Sequence, residues 1–166
     1  MNANLTPVDW AKRPILEKYA DFTGRAPRAE YWWYLLGLII AAVILSIIES
    51  ILGLKGMVIG IYGPLTALLW LGTIVPSLAV GTRRLHDTGR SGWWQLLAYC
   101  PYLLLLLFRP GAGAGIGAMA LAGVLSLVAL VCAIIVLVLM ALPSNPGENR
   151  YGPNPLGDAG PAIAAE

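Results

Sequence analysis

Long stretches without charged residues alternate with short polar segments along this chain. Four of these stretches are predicted to be membrane-spanning helices, at about residues 31–52, 57–80, 93–108 and 117–142. A helix needs about 20 apolar residues to cross roughly 30 Å of hydrocarbon. The third stretch is the shortest and reaches only about 24 Å at 1.5 Å per residue. The sequence alone therefore leaves open whether residues 93–142 cross the membrane once or twice.

Helices are favoured over barrel strands in these stretches. Backbone amides cannot stay unpaired in lipid, and the strands of a membrane barrel alternate polar and apolar residues over about ten positions. The run from Ala133 to Met140 contains only apolar residues. The expected fold class is therefore all-α, a polytopic transmembrane helical bundle with four spans.

The segments on either side of this membrane domain (31–142) differ from it and from each other. In the N-terminal segment (1–30), Ile15, Leu16, Tyr19 and Phe22 recur near helical spacing after Pro14, which suits a first helical position. This pattern predicts a short amphipathic helix over 14–22, either on the inner membrane surface or tucked under the bundle. The last segment (143–166) has five prolines and four glycines and is predicted to be a largely unstructured cytoplasmic tail.

Basic residues are distributed unevenly among the polar segments. With four spans and the N-terminus inside, nine lysines and arginines fall on the cytoplasmic side and two outside, which predicts that both termini are cytoplasmic. Tryptophan favours the headgroup level. The pairs Trp32–Trp33 and Trp93–Trp94, which begin the first and third spans, are therefore expected to anchor the inner interface.

Composition agrees with a membrane protein and excludes several other classes. The chain is 58% hydrophobic and only 12% charged, whereas soluble domains have about 25% charged residues. The net charge of +2 gives no strong field for nucleic acid. Cys100 and Cys132 lack the spacing of a disulfide framework or a zinc site and are expected to be packed thiols. No metal or cofactor is expected.

Three polar blocks stand out against this background, at 22–33, 83–94 and 146–153. The four-span topology places all three on the cytoplasmic side, where the arginines of these blocks, Glu30 and Asp87 are expected to form one ion-pair network. Such pairs are stronger at the membrane boundary than in bulk water. The candidate site residues are Arg25, Arg28, Glu30, Arg83, Arg84, His86, Asp87, Arg90, Asn149 and Arg150.

Together the blocks resemble the family catalogued as domain of unknown function 805, small bacterial inner-membrane proteins. The resemblance covers about residues 15–155. It rests on Gly24-Arg25 with Arg28, Glu30 and Tyr31-Trp32-Trp33, on the block from Arg83 to Trp94, and on the block from Gly147 to Pro153. It implies a location in the bacterial inner membrane and an architecture, but no reaction. Shorter relatives have little more than one span between the last two blocks, so this chain looks as if it has an added crossing.

His86 and Asp87 admit two interpretations. In the first, they form a proton-handling or ligand-binding pair, since imidazole titrates near neutrality. In the second, which we favour, His86 touches carbonyls at a helix end and Asp87 caps the helix or pairs with an arginine. Ser91 does not lie in a nucleophile elbow and is expected to cap the third span, after Gly89 has ended the second.

Three functions follow as hypotheses. The first is a non-enzymatic membrane or scaffold protein whose arginines contact anionic headgroups or an acidic partner, either as a homo-oligomer or with another membrane protein. The second is a small transporter or channel subunit, with a hydrated path that reaches Glu49 or the cytoplasmic cluster. The third is an enzyme that acts on lipid headgroups through His86 and Asp87.

Overall fold

A computed structural model describes residues 5–58, 62–107 and 115–157. Across these ranges the chain is helical and contains no β-strand. The helices are α1 (Pro7–Leu16), α2 (Arg28–Ile51), α3 (Pro64–Asp87), a 3₁₀ helix (Gly92–Gln95), α4 (Leu96–Leu107) and α5 (Ile116–Ala141). The remaining residues include Arg109 and the end of the predicted tail, so the prediction for that part of the tail lies outside the described residues.

Three helices in the described ranges are long and apolar enough to cross a membrane. They are α2, α3 and α5, with 24, 24 and 26 residues and mean hydropathies of 2.4, 1.6 and 3.2. At 1.5 Å per residue, 24 residues extend about 36 Å. The fourth predicted span corresponds to α5, whereas α4 has only 12 residues and continues the 3₁₀ helix that precedes it.

The second predicted span is displaced along the sequence. Helix α3 begins at Pro64, directly after its N-cap Gly63, and ends at Asp87 rather than near residue 80. Proline suits the first helical turn because its missing N–H has no partner there. The helix continues through Arg83 and Arg84 because both side chains are buried and bonded, and Gly89, with a φ of +75°, follows its end as predicted.

The four longer helices meet at one end of the bundle. Leu85 near the end of α3 packs with Val136 and Met140 near the end of α5. Trp32 in the first turns of α2 and Ala98 at the start of α4 contact the same cluster. Successive helices among α2, α3, α4 and α5 therefore run in opposite directions.

Most of α5 presents apolar side chains outwards. Only Val136 and Met140 are buried in this helix, and leucines and valines along its length are about half exposed. An apolar surface of this extent is unusual on a soluble monomer and is typical of a membrane or protein contact.

The two cysteines are both free thiols. Cys100 lies on the surface and Cys132 is half-buried, so the expectation that both are packed is wrong for Cys100.

The N-terminal helix lies earlier in the sequence than predicted. It spans Pro7–Leu16 rather than 14–22, because Thr6 and Asp9 form a capping box in which each side chain accepts a hydrogen bond from the other residue's backbone N–H. Pro14 is near the end of α1, not at its start. Trp10 is buried, and α1 packs against α2 and α3.

The first part of the tail is also more ordered than predicted. Residues 143–157 fold back on the ends of the helices, with the Asn145 N–H donating to the Asp87 carbonyl at 2.9 Å. Asn149 and Gly152 pair through their backbones at 3.1 and 2.9 Å. The proline and glycine content that suggested an unstructured tail instead permits these turns, two of which have glycine at positive φ, Gly147 and Gly152.

Candidate functional site

The candidate site is a cluster of charged side chains at the end of the bundle where the four longer helices meet. Five of these residues are buried: measured over the whole residue, Arg25 is 6% exposed, Glu30 1%, and Arg83, Arg84 and Asp87 0%. Arg25 precedes α2, Glu30 is in its first turn, and the other three are in the last turns of α3. We call these five residues the arginine cluster.

Asp87 connects two arginines and the tail. Its Oδ1 atom accepts a hydrogen bond of 3.0 Å from Arg25 Nε. Its Oδ2 atom accepts from Arg84 Nη1 and from the Ser144 hydroxyl. A buried carboxylate with this many donors is compensated in charge and in hydrogen bonding.

Arg84 joins the end of α3 to the end of α5. Its Nε atom donates to the Met140 carbonyl at 2.9 Å, and its Nη2 atom donates to the Leu142 carbonyl. Its Nη1 atom also lies 3.4 Å from the Ala26 carbonyl. The last carbonyls of a helix have no partner within the helix, so this guanidinium caps α5 from a neighbouring helix.

Arg25 binds the tail in the same manner. It donates to the carbonyls of Asn145 at 2.6 Å, Gly147 at 2.7 Å and Gly152 at 3.3 Å. The planar guanidinium has five N–H donors spread over three nitrogen atoms and so reaches several carbonyls at once, whereas a lysine has three donors on a single nitrogen atom. The tail is therefore held by the segment that precedes α2.

Glu30 forms a second group of ion pairs. Its Oε1 atom accepts from Arg83 Nη1 at 2.5 Å, and its Oε2 atom lies 3.5 Å from Arg13 Nη1. Arg83 is bonded incompletely: its Nε and Nη2 atoms are buried and have no hydrogen-bond partner among the described residues. The single network predicted for the arginines of the three blocks is therefore two groups, one around Asp87 and one around Glu30.

The other predicted arginines lie outside both groups. Arg28 is exposed and makes no ion pair with a described residue. Arg90 donates to the Thr88 carbonyl at 3.3 Å. Arg150 is exposed, donates to the Gly89 carbonyl at 3.4 Å, and lies over the Tyr151 ring at 4.7 Å. Including these three in the ion-pair network was wrong.

His86 contacts backbone and an aromatic ring, not the Asp87 carboxylate. Its Nδ1 atom is 3.1 Å from the Gly24 carbonyl oxygen. Its ring stacks on Tyr151, with centroids 3.7 Å apart and planes at 3°. Asn149 adds a hydrogen bond of 2.9 Å from its side-chain amide to the His86 carbonyl. This geometry agrees with the favoured interpretation, in which His86 touches a carbonyl and Asp87 pairs with arginines.

The four tryptophans that were predicted to anchor the interface divide into one packed residue and three surface residues. Trp32 packs against the buried cluster around Leu85 and contacts Tyr31 edge to face at 5.3 Å. Trp33, Trp93 and Trp94 are 39%, 77% and 46% exposed. Ser91 accepts a weak hydrogen bond of 3.5 Å from the Trp93 N–H and so caps the 3₁₀ helix that leads into α4.

Sequence reasoning missed two contributors to the cluster. Arg13 pairs with the buried Glu30 and also with the exposed Glu17. In the sequence only the i, i+4 pair of Arg13 with Glu17 is visible, and such a pair suggests a solvated helix face. Ser144 lies in the segment that was predicted to be unstructured. Among the described residues, no group of three or more His, Cys, Asp and Glu side chains is placed to hold a metal ion.

Glu49, at the opposite end of the bundle, caps α3. This buried carboxylate accepts hydrogen bonds from the N–H groups of Gly63 and Thr66 at 3.1 and 2.8 Å, and from the Thr66 hydroxyl at 2.7 Å. A Cβ atom at Gly63 would approach both carboxylate oxygens to 2.7 Å or less. A carboxylate at a helix N-terminus is favourable because the first N–H groups lack partners there.

Comparison with known proteins places these features in context. The family model described as "Protein of unknown function (DUF805)" matches residues 19–153. The chain is 33% identical to the inner membrane protein YhaH of Escherichia coli K12, over 89% of this chain and 97% of the relative. It is 43% identical to the inner membrane protein YhaI of the same strain, over 57% of this chain and 77% of the relative. No solved structure matches the chain.

Proposed function

Because the chain belongs to the DUF805 family of membrane proteins, we propose that it is a non-enzymatic inner-membrane scaffold protein that binds anionic lipid headgroups at its cytoplasmic surface. We further propose four spans, formed by α2, α3, the 3₁₀ helix with α4, and α5. Both termini are then cytoplasmic, and α1 lies at the inner interface. The opposite directions of successive helices and the basic residues at the shared end support this topology.

The observation that carries the lipid proposal is the division between buried and exposed cations. Arg25, Arg83 and Arg84 are buried among carboxylates and carbonyls, so they hold the surface together and are not free to contact lipid. Lys12, Arg28 and Arg150 are exposed. The exposed rings of Trp33, Trp93 and Trp94 suit the headgroup level. The lipid-binding residues are therefore these exposed cations and not Arg83 and Arg84.

The hydrogen-bond partners of His86 and Asp87 support a non-enzymatic role. The two side chains have different partners, the Gly24 carbonyl for His86 and two guanidinium groups for Asp87. A general acid–base pair requires hydrogen-bond reach between its members or to a shared substrate position. The hydrogen-bond donors to the Asp87 carboxylate are Arg25, Arg84 and Ser144, so its oxygens are engaged in contacts that hold the folded structure together.

Lipid retention by the purified full-length protein tests this function. Native mass spectrometry compares the binding of phosphatidylglycerol and phosphatidylcholine to the wild type and to a Lys12→Gln, Arg28→Gln, Arg150→Gln triple variant. Each cation near an anionic surface contributes about 1 kcal/mol, so we expect the triple variant to lose about tenfold or more in phosphatidylglycerol affinity. Phosphatidylcholine binding should not change.

Glu148→Gln provides the matched control, because Glu148 is exposed in the same block as Arg150 but has the opposite charge. It should retain or increase phosphatidylglycerol binding. Equal binding of the two lipids by the wild type would overturn the proposal. So would unchanged phosphatidylglycerol binding by a triple variant that keeps the wild-type unfolding temperature.

The topology has its own test. Reporters that are active on only one side of the membrane are fused after residues 55, 90 and 157. Four spans place the first fusion outside and the other two in the cytoplasm. A fusion after residue 157 that reports an outside location would mean that residues 93–142 cross only once.

A further inference from the structure

A partly open cavity of about 250 Å³ lies between α2, α3, α4 and α5. It is separate from the arginine cluster and from the exposed cations. Leu35, Leu38 and Val80 form part of its apolar wall, and Val136 and Met140 contribute the side from α5. A void of this size far exceeds one water molecule, whereas protein interiors are otherwise packed with few voids.

The cavity also has hydrogen-bonding groups in its wall. The Tyr34 hydroxyl is bonded to Ser77 at 2.7 Å. Tyr31, Tyr99 and Trp70 also line the cavity, and their hydroxyl and indole N–H groups make no hydrogen bond to any described residue. Ligand sites typically combine a mostly apolar wall with a few polar groups that orient the bound molecule.

The absence of charge in this wall restricts the chemistry of the ligand. None of the described residues that line the cavity is charged. A charged group in a low-dielectric interior without a partner is strongly unfavourable. A neutral molecule with a hydroxyl or carbonyl group can use the free hydroxyl and indole groups while its apolar part contacts the aliphatic wall.

Two open grooves adjoin the cavity. Trp70 also lines a groove of about 500 Å³ between α2 and α3, and Gln95 and Tyr99 also line a groove of about 410 Å³ next to His86. Gln95 is held by hydrogen bonds to the Leu78 carbonyl at 3.2 Å and the Thr82 hydroxyl at 2.7 Å. The side chains shared between the cavity and the grooves are Trp70 on one side and Gln95 with Tyr99 on the other. The Trp70 side chain makes no hydrogen bond to a described residue, so it can move aside more easily than Gln95.

We propose that this cavity is a binding site for an uncharged, lipid-soluble molecule that carries a hydroxyl or carbonyl group. The site lies within the bundle, and the inference goes beyond the scaffold function without depending on it. Ligands reach it laterally, from the hydrocarbon region past Trp70.

Photolabelling with an octanol that carries a diazirine group tests the site on the full-length protein in nanodiscs. We expect saturable labelling of peptides that contain Tyr34, Trp70 or Tyr99. Unlabelled octanol should compete about tenfold better than octane, because only the alcohol uses the polar groups. Labelling that does not saturate, or that is confined to the outward faces of α2 and α5, would overturn the proposal.

Two variants separate the cavity from the lipid-facing surface. Ala98 lines the cavity, so Ala98→Phe should abolish saturable labelling, whereas Ala133→Phe on the exposed face of α5 should leave it unchanged. If Ala98→Phe does not fold, the Tyr31→Phe, Tyr99→Phe double variant keeps the shape of the wall and decides the matter. It should reduce the preference for octanol over octane, because two of the three hydroxyl or indole groups without a described partner are removed, and a preference that is unchanged would contradict the assignment.

Discussion

Arg25 and Asp87 lie 62 residues apart in the sequence, yet the Arg25 Nε atom donates a 3.0 Å hydrogen bond to Asp87 Oδ1. Their side chains are 1% and 0% exposed. Because Arg84 and Ser144 bind the other carboxylate oxygen, one aspartate connects the segment before α2, the end of α3 and the tail. The arrangement of this end of the bundle therefore depends on a buried charge.

Asp87→Asn is expected to reduce the free energy of unfolding by about 3 kcal/mol, because it leaves two buried guanidinium groups without their carboxylate. Unfolding in mixed micelles with increasing denaturing detergent measures this change. Asp21→Asn is the control, since it removes only the half-exposed pair with Lys18 and should cost less than about 1 kcal/mol. Equal effects of the two substitutions would contradict the role assigned to Asp87.

Arg83 and Arg84 are adjacent and equally buried, but we expect them to respond differently to lysine. Arg84 donates to Asp87 and to the carbonyls of Met140, Leu142 and Ala26, whereas Arg83 bonds only Glu30 within the described residues. Arg84→Lys should therefore destabilise the protein by about 2 kcal/mol more than Arg83→Lys. The same unfolding measurement checks this order, and the reverse order would refute it.

The carboxylate of Glu49 should be energetically coupled to Thr66. A double-mutant cycle with Glu49→Ala and Thr66→Ala isolates the 2.7 Å hydroxyl–carboxylate bond, because the Thr66 N–H remains in both backgrounds. Hydrogen bonds to charged groups contribute about 1.5–3 kcal/mol, and we expect a coupling energy near the lower value. Ser50→Ala, at an exposed neighbouring position, should show no coupling to Thr66. A Glu49–Thr66 coupling near zero would show that the hydroxyl–carboxylate bond does not contribute to stability.

The folded part of the tail is expected to depend on Asn149 and Tyr151. Asn149→Ala removes the bond to the His86 carbonyl, and Tyr151→Leu removes the stack on the His86 ring. Each should increase amide exchange over residues 145–153 by about tenfold, equivalent to about 1.4 kcal/mol. Asn154→Ala is the control, because its side chain accepts only from the nearby Leu156 N–H. Rapid exchange in the wild type would show that this segment is not held.

The sequence predicted the helices more completely than the directions of the charged side chains. Apolar stretches and the flanking blocks indicate helical segments whose polar ends meet. They do not reveal that Arg25 and Arg84 turn inwards. The acceptors of these arginines include backbone carbonyls at the end of α5 and in the tail, and backbone carbonyls occur at every position of every sequence, so they give no sequence signal. Arg28 and Arg84 look alike in the sequence, yet one is exposed and the other is buried.

The bounds of α1 could have been predicted, because Thr6 and Asp9 have the spacing of a capping box. The apolar residues at 15–22 obscured this signal. Tyr19 donates instead to the Gly72 carbonyl at 2.6 Å from a non-helical segment, so its spacing reflects packing against α3. In so short a segment, periodic apolar residues do not distinguish a helix from a non-helical segment that packs along a neighbouring helix.

The capping box also predicts a pH dependence for α1. The pKa of Asp9 is lowered from its ordinary value of 3.8, mainly because the Thr6 hydroxyl and backbone N–H donate to its carboxylate. Since the folded pKa lies below the unfolded one, the contribution to stability is complete above the unfolded pKa and is lost as the pH falls through the folded pKa. Amide exchange in α1, corrected for intrinsic rates, should therefore accelerate as the pH falls below the ordinary pKa of the aspartate. Asp9→Asn should remove this acceleration because it abolishes the titration, and a variant that accelerates as much as the wild type would show that another group is responsible.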